Sequence, residues 1–292
     1  MQSQVTITVF TVLAMIAFAA NSVLARMALG GEAVIDPVSY TAIRLFAAAI
    51  ALVVLVSIRT QTEGKPSTKL RFDYLSALAL FGYAAAFSLA YLRLDTAMGA
   101  LILFGVVQMT MIGWGLVQGE GLTRFQTIGI LLACGAFIYL MTPGLAAPDL
   151  IGALLMAMSG LCWGVYSLAG RRGGDPLLRT THNFIGTLPL AVLACGLYLW
   201  LGYSDVHLTP RGVCLAVISG AVTSGLGYAI WYSAVKGLSA AQGGVVQLSV
   251  PIIAAIGGVI FVSEPLTQRL CISAVLILGG IALTMIRPRK SS

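Results

Sequence analysis

The sequence predicts an all-α polytopic membrane protein with ten transmembrane helices, laid out as two inverted five-helix repeats. Three observations predict it. Of the 292 residues, 59% are hydrophobic and only 9% are charged, with a mean hydropathy of +0.96; a soluble domain averages roughly 25% charged residues, so this chain cannot cover a water-facing surface. The apolar residues fall into ten runs, each near the ~20 residues that a helix needs to cross a bilayer. Short motifs of the first half then recur in the second at an almost constant spacing.

The runs cover 5–29, 37–58, 73–92, 97–117, 124–141, 149–170, 178–201, 211–235, 240–261 and 266–286. Turn-forming and charged stretches such as RTQTEGKPSTKLR (59–71), TPGLAAPD (142–149) and RRGGDP (171–176) separate them. The N-terminal MQSQVTITVF has no basic region ahead of its apolar run, so the first run is expected to be a retained span and not a cleaved signal. Pro251 lies inside the ninth run, where a proline removes one backbone hydrogen bond and is expected to kink or break the helix.

Basic residues orient the spans. With the N-terminus inside, the cytoplasmic segments carry twelve Lys and Arg: Arg59, Lys65, Lys69, Arg71, Arg124, Arg171, Arg172, Arg179, Lys236, Arg287, Arg289 and Lys290. The opposite face carries Arg26, Arg93, Arg211 and Arg269. Both termini are therefore expected in the cytoplasm. The net charge of +7 resides in these connections and not in a patch interleaved with aromatics, so nucleic acid is not an expected partner.

The internal echo begins with FAANSVLAR (18–26), which returns 145 residues later in CWGVYSLAGRR (162–172), matching Phe18, Asn21 and Arg26 to Trp163, Tyr166 and Arg171. GEGLT (119–123) returns as SEPLT (263–267), Gly135 as Gly279, and Asp36-Pro37 with Arg44 as Asp175-Pro176 with Asn183. Matches in the same order point to duplication, with one unit over 1–145 and the other over 146–292, together one membrane domain. Five spans is an odd number, so the second unit enters from the opposite face, the inverted-repeat plan of many secondary transporters.

With these residues in hand, the chain resembles the drug/metabolite transporter superfamily. The F/W-x-x-N/Y signature in the first helix of each copy and the E-x-L-T step before the last helix resemble its EamA-type members, and the overall likeness is nearest to the YddG-type exporters of aromatic amino acids. The first copy departs from the usual Trp-Gly, having Phe18-Ala19. The resemblance implies a multi-pass carrier in a bacterial-type inner membrane, with a cavity lined by helices 1, 3, 4, 6, 8 and 9.

Within that frame, the candidate substrate-binding residues are Phe18, Asn21, Tyr83, Phe87, Gln108, Trp163, Tyr166, Tyr228, Tyr232 and Gln247. Tyr83 and Phe87 share one face of the third run, Tyr228 and Tyr232 one face of the eighth, and Trp163 and Tyr166 one face of the sixth. Amides at depth need partners, since an unpaired amide in hydrocarbon costs several kcal/mol. Each aromatic also has an ordinary packing role open to it. An apolar pocket edged with rings and amides suits a zwitterionic amino acid with a bulky side chain. Arg44 lies two turns inside the second span, where snorkelling outward and a role at depth both remain open. His182 is expected at the surface, and Glu120 and Glu264 are expected to meet the dipoles of the helices that follow them.

The residues also exclude classes. The five cysteines lie in apolar runs with no CxxC, so neither a metal site nor a disulfide framework is expected, and no cofactor is implied. No HExxH, paired intramembrane aspartates or Ser-His dyad suggests an enzyme. An inverted odd-numbered unit has a purpose in alternating access and none in a receptor or scaffold. The reading is an exporter of amino acids, with another small metabolite or a drug as the alternative cargo. No Asp or Glu falls mid-span, so no carboxylate proton relay is visible.

Overall fold

The computed structural model describes residues 4–63, 73–119, 121–142, 147–170, 175–202, 206–234 and 246–284. Among them every extended regular element is helical: α1 (Gln4–Leu29), α2 (Pro37–Glu63), α3 (Tyr74–Tyr91), α4 (Thr96–Val117), α5 (Arg124–Met141), α6 (Leu150–Gly170), α7 (Pro176–Trp200), α8 (Pro210–Ala234), α9 (Ser249–Val262) and α10 (Gln268–Thr284). The first eight are long and apolar enough to cross a membrane, while α9 and α10 are apolar but shorter. The ninth predicted run begins at 240, and residues 240–245 lie outside the described set. Pro251 occupies the first turn of α9, where its missing N–H has no helical partner to lose, so the expected break takes the form of a helix start.

The helix starts are set by short polar side chains. Asp73 accepts the Ser76 amide at the head of α3, Thr209 the Gly212 amide at α8, and Thr267 the Leu270 amide at α10. Thr123 and Gln126 bond each other's backbone amides at α5, a complete capping box. Asp175 caps α7 through the Leu177 and Leu178 amides and also pairs with Arg59 at the end of α2. Burial raises the Asp175 carboxyl, but Arg59 and the two amides outweigh it and hold the group below the ordinary carboxylate range.

The connections between helices meet at two ends. At one end the α1–α2 link joins the α7–α8 link through the Ile35–Leu208 bridge, the Asp36 amide on the His207 carbonyl and the Thr209 hydroxyl on the Val34 carbonyl. Arg26 reaches Asp95 and Glu264 there, and Arg93 faces Asp149 at 3.6 Å. Arg59 and Asp175 meet at the other end.

Lateral packing follows from small residues. α3 lies along α6, α1 along α8, α4 between α6 and α9, and α2 against α7 and α8. α5 pairs with α10 through Gly129 and Gly280, where a Cβ on Gly280 would come within 2.6 Å of the Gly129 carbonyl oxygen and a Cβ on Gly129 would strike the Gly280 oxygen. The neighbouring Gly279 faces open space. Backbones this close maximise dispersion contact where no hydrophobic effect drives association. Gly280→Ala is therefore expected to lower the melting temperature of the purified protein, by an overpacking cost of about 1–3 kcal/mol, while Gly279→Ala leaves it unchanged. Equal effects of the two substitutions would show that the α5–α10 crossing is not sterically set.

Candidate functional site

Helices α1, α3, α4, α6 and α8 converge on a small internal cavity lined by Phe18, Asn21, Ser22, Tyr83, Phe87, Leu103, Phe104, Trp163, Thr223 and Tyr228. Its volume is about 20 Å³, room for about one water molecule and far below the roughly 300–1,000 Å³ of a small-molecule site. The cavity is small because its rings have closed on one another. Trp163 stands at the centre, with ring centroids 4.9 Å from Tyr83, 5.0 Å from Tyr228, 5.4 Å from Tyr166 and 6.3 Å from Phe18. Phe18 in turn meets Tyr228 edge-on at 5.7 Å.

Of the sequence candidates, Phe18, Asn21, Tyr83, Phe87, Trp163 and Tyr228 line the cavity together. Tyr166 is buried behind Trp163, its hydroxyl held among Asn183, Thr180 and Tyr232. Gln108 is buried on α4 away from the lining, with its amide nitrogen lacking a hydrogen-bond partner. Gln247 and Tyr232 also lie outside the lining. Among the described residues, α9 contributes nothing to the lining; residues 240–245 of the run expected to line the cavity lie outside them. The lining residues Ser22, Leu103, Phe104 and Thr223 were not legible in the sequence, since one serine or leucine in an apolar run carries no distinguishing signal.

A polar network backs the rings. Asn21 Oδ1 accepts from the Ser219 hydroxyl at 2.7 Å and the Thr223 hydroxyl at 3.1 Å, and Asn21 Nδ2 donates to the Tyr83 hydroxyl at 3.2 Å. Arg44 Nη2 donates to the same Tyr83 oxygen at 2.9 Å, and Arg44 Nε donates to Ser224 at 3.2 Å. Residues Ser219–Leu226 of α8 are wound as a π-helix. In an α-helix Ser224 would point about 140° away from Ser219; the wider i→i+5 winding brings it round, so that Ser219 and Thr223 serve Asn21 while Ser224 serves Arg44. Gly220 makes this possible, because a Cβ there would strike the Arg44 carbonyl oxygen.

Arg44 does not snorkel. It is 1% exposed, turned inward, with its guanidinium carbon 5.2 Å from the centre of the Tyr83 ring and 4.9 Å from that of Phe87. An arginine at a helix centre costs about 2.5–3.5 kcal/mol on insertion scales, and two ring faces with two hydrogen bonds to neutral hydroxyls offset this. Among the described residues no carboxylate pairs with it, and Nη1 is buried without a hydrogen-bond partner. His182, expected at the surface, is also buried.

Above the cavity, Arg26 closes one end of the bundle. Its Nε bonds Glu264 at 2.7 Å, Nη2 bonds Asp95 at 2.9 Å and Nη1 the Tyr91 carbonyl at 3.1 Å. The second oxygen of Glu264 accepts the Thr96 amide at 2.8 Å, so this carboxylate serves the N-terminus of α4 and not that of α10, as the sequence had suggested. Glu120, its counterpart in the echo, lies outside the described residues.

Residues 150–286 match the family model of the EamA-like transporter family. An uncharacterized protein of Pseudomonas aeruginosa is 50% identical over 275 residues, 94% of this chain and 93% of that protein. The threonine/homoserine exporter RhtA of Escherichia coli is 30% identical over 151 residues, 49% of this chain and 48% of that protein. A solved structure covers 97% of this chain and 98% of its own with a TM-score of 0.66 at 19% identity, a likeness of fold alone. With its membrane-length helices, its family match and these relatives, the chain belongs to the EamA-like transporter family, whose members are transporters.

Proposed function

We propose that this protein is a secondary transporter that exports amino acids with aromatic or bulky apolar side chains from the cytoplasm, by alternating access through the central cavity. The observation that carries the reading is the cavity itself: a ring of aromatic faces with an amide, hydroxyls and one cation behind them, contracted around Trp163. A bulky side chain gains about 0.5–1.5 kcal/mol per ring pair there beyond its burial. The E. coli relative named as a threonine/homoserine exporter supports an amino acid cargo; the rings favour a larger side chain than threonine's.

Two inverted halves, 1–145 and 146–292, supply the moving parts in this reading. If helix n corresponds to helix n+5, the α3–α6 contact corresponds to α8–α1 and α4–α6 to α9–α1, while α2–α7, α4–α9 and α5–α10 map onto themselves; all of these contacts are present. Gly119 and Ser263, which are 144 residues apart, both have positive φ, and Thr123 and Thr267 both cap the helix that follows. With both termini cytoplasmic in an inner membrane, the end closed by Arg26 and Glu264 is the external one. Among the described residues every Asp and Glu lies at a helix end or in a connection, which supports export down the substrate gradient without a carboxylate relay.

Proteoliposomes loaded with labelled L-phenylalanine, L-tryptophan, L-leucine or L-threonine test the proposal. Flux of the bulky amino acids above protein-free vesicles is expected, and it persists when the proton gradient is collapsed at fixed substrate gradient. Flux of none of them overturns amino acid export and directs the search to another metabolite or a drug; flux abolished by collapse overturns uncoupled transport.

Trp163→Ala separates binding from packing. Loss of one stacking partner costs about 1 kcal/mol, so apparent affinity for L-phenylalanine is expected to fall roughly five-fold, whereas Trp163→Phe keeps most of it. A variant with lowered melting temperature but normal flux per folded molecule would remove Trp163 from the site.

A further inference from the structure

We propose that Arg44 and the Tyr83 hydroxyl form an anion half-site that binds a carboxylate of the cargo. The inference rests on the cavity being the cargo site, and it adds a chemical requirement that aromatic lining does not impose. Three observations carry it. Arg44 is a fully buried cation with no acidic partner among the described residues. Its Nη1 is buried without a hydrogen-bond partner, although a buried guanidinium ordinarily has its donors satisfied. And the group it bonds, Tyr83, is a wall of the cavity.

The hydrogen-bond capacity of Tyr83 gives the direction. Its oxygen accepts from Arg44 Nη2 and from Asn21 Nδ2, which uses both lone pairs. What the hydroxyl has left is its own proton, polarised by the cation behind it and within hydrogen-bond reach of the Tyr228 hydroxyl. Tyr228 also lines the cavity. A ligand oxygen entering between the two phenols replaces their mutual contact and takes the Tyr83 O–H, and Nη1 is the remaining unpaired donor of the guanidinium. A carboxylate fits this pair of donors and supplies the missing negative charge; a neutral amide supplies neither the charge nor the second strong acceptor. Ser224 and the Tyr83 and Phe87 rings hold the guanidinium in place for it.

The test compares acids with their amides on the purified full-length protein in detergent, by ligand-induced thermal shift and competition. L-phenylalanine and 3-phenylpropionate are paired with L-phenylalaninamide and 3-phenylpropanamide. Each acid is expected to bind roughly ten-fold or more tightly than its amide, the range of a lost charged hydrogen bond. Arg44→Gln is expected to abolish that ratio, and Arg44→Lys to keep part of it, since the charge survives without the guanidinium fork. Because Arg44→Gln removes a buried group and its fold is at risk, Tyr83→Phe provides a second variant that keeps the ring; it is expected to reduce the ratio. Acids and amides of equal affinity on the native protein overturn the half-site, as does a ratio unchanged in Arg44→Gln or in Tyr83→Phe. The two readings fail separately. Arg44-dependent binding of 3-phenylpropionate without flux of any amino acid removes amino acid export and leaves the half-site standing. Amino acid flux inhibited equally by acid and amide removes the half-site and leaves export standing.

Discussion

The burial of one positive charge in an apolar bundle constrains the rest of this structure. Arg44 enters on α2 and must find hydroxyls and ring faces at depth, because hydrocarbon offers its guanidinium nothing. Tyr83 on α3 and Ser224 on α8 answer that need, and both carry consequences. Serving Arg44 commits the Tyr83 oxygen, which then also receives Asn21 from α1. Serving it from α8 requires a π-wound segment, with Gly220 giving up its side chain so that the two backbones approach. Four helices are thereby tied to one cation, directly or through one intermediary.

The aromatic residues fill what the polar network leaves. Trp163 meets rings from α1, α3 and α8, so the wall contributed by α6 and the wall contributed by α1 touch instead of facing each other across a gap. Ring-on-ring contacts of this kind are each worth about 0.5–1.5 kcal/mol beyond burial. The small-residue crossings behave differently. At Gly129 and Gly280 the helices meet backbone to backbone, with no room for a side chain between them.

Acidic groups mark the boundary of the bundle. A carboxylate at depth would need a partner or a proton, and among the described residues the carboxylates sit at helix ends and in connections, where amides and arginines can meet them. Asp175 joins α2 to α7 at one end, and Glu264 joins α1 to α4 at the other. The two ends are held by ion pairs and the middle by uncharged groups and one cation.

How much of this was legible beforehand follows the same physics. Hydrocarbon demands long apolar runs and self-satisfied backbones, so the positions of the helices and the transporter class were written locally in composition and spacing. The upstream part of the ninth run, 240–245, lies outside the described residues, and Pro251 stands in the first turn of the helix described there. Phe18, Asn21, Tyr83, Phe87, Trp163 and Tyr228 could be nominated because aromatic and amide groups at helical spacing stand out against aliphatic residues. What the sequence could not decide was which of several inward faces meet. Gln108, Gln247, Tyr166 and Tyr232 have the same chemistry as their neighbours, and only the rotation and tilt of whole helices set them outside the lining. The direction of Arg44 and the partner of Glu264 are of this kind as well. A side chain two turns into a span can reach out or in at similar local cost, and the choice inward was made by hydroxyls that lie 39 and 180 residues away in the chain.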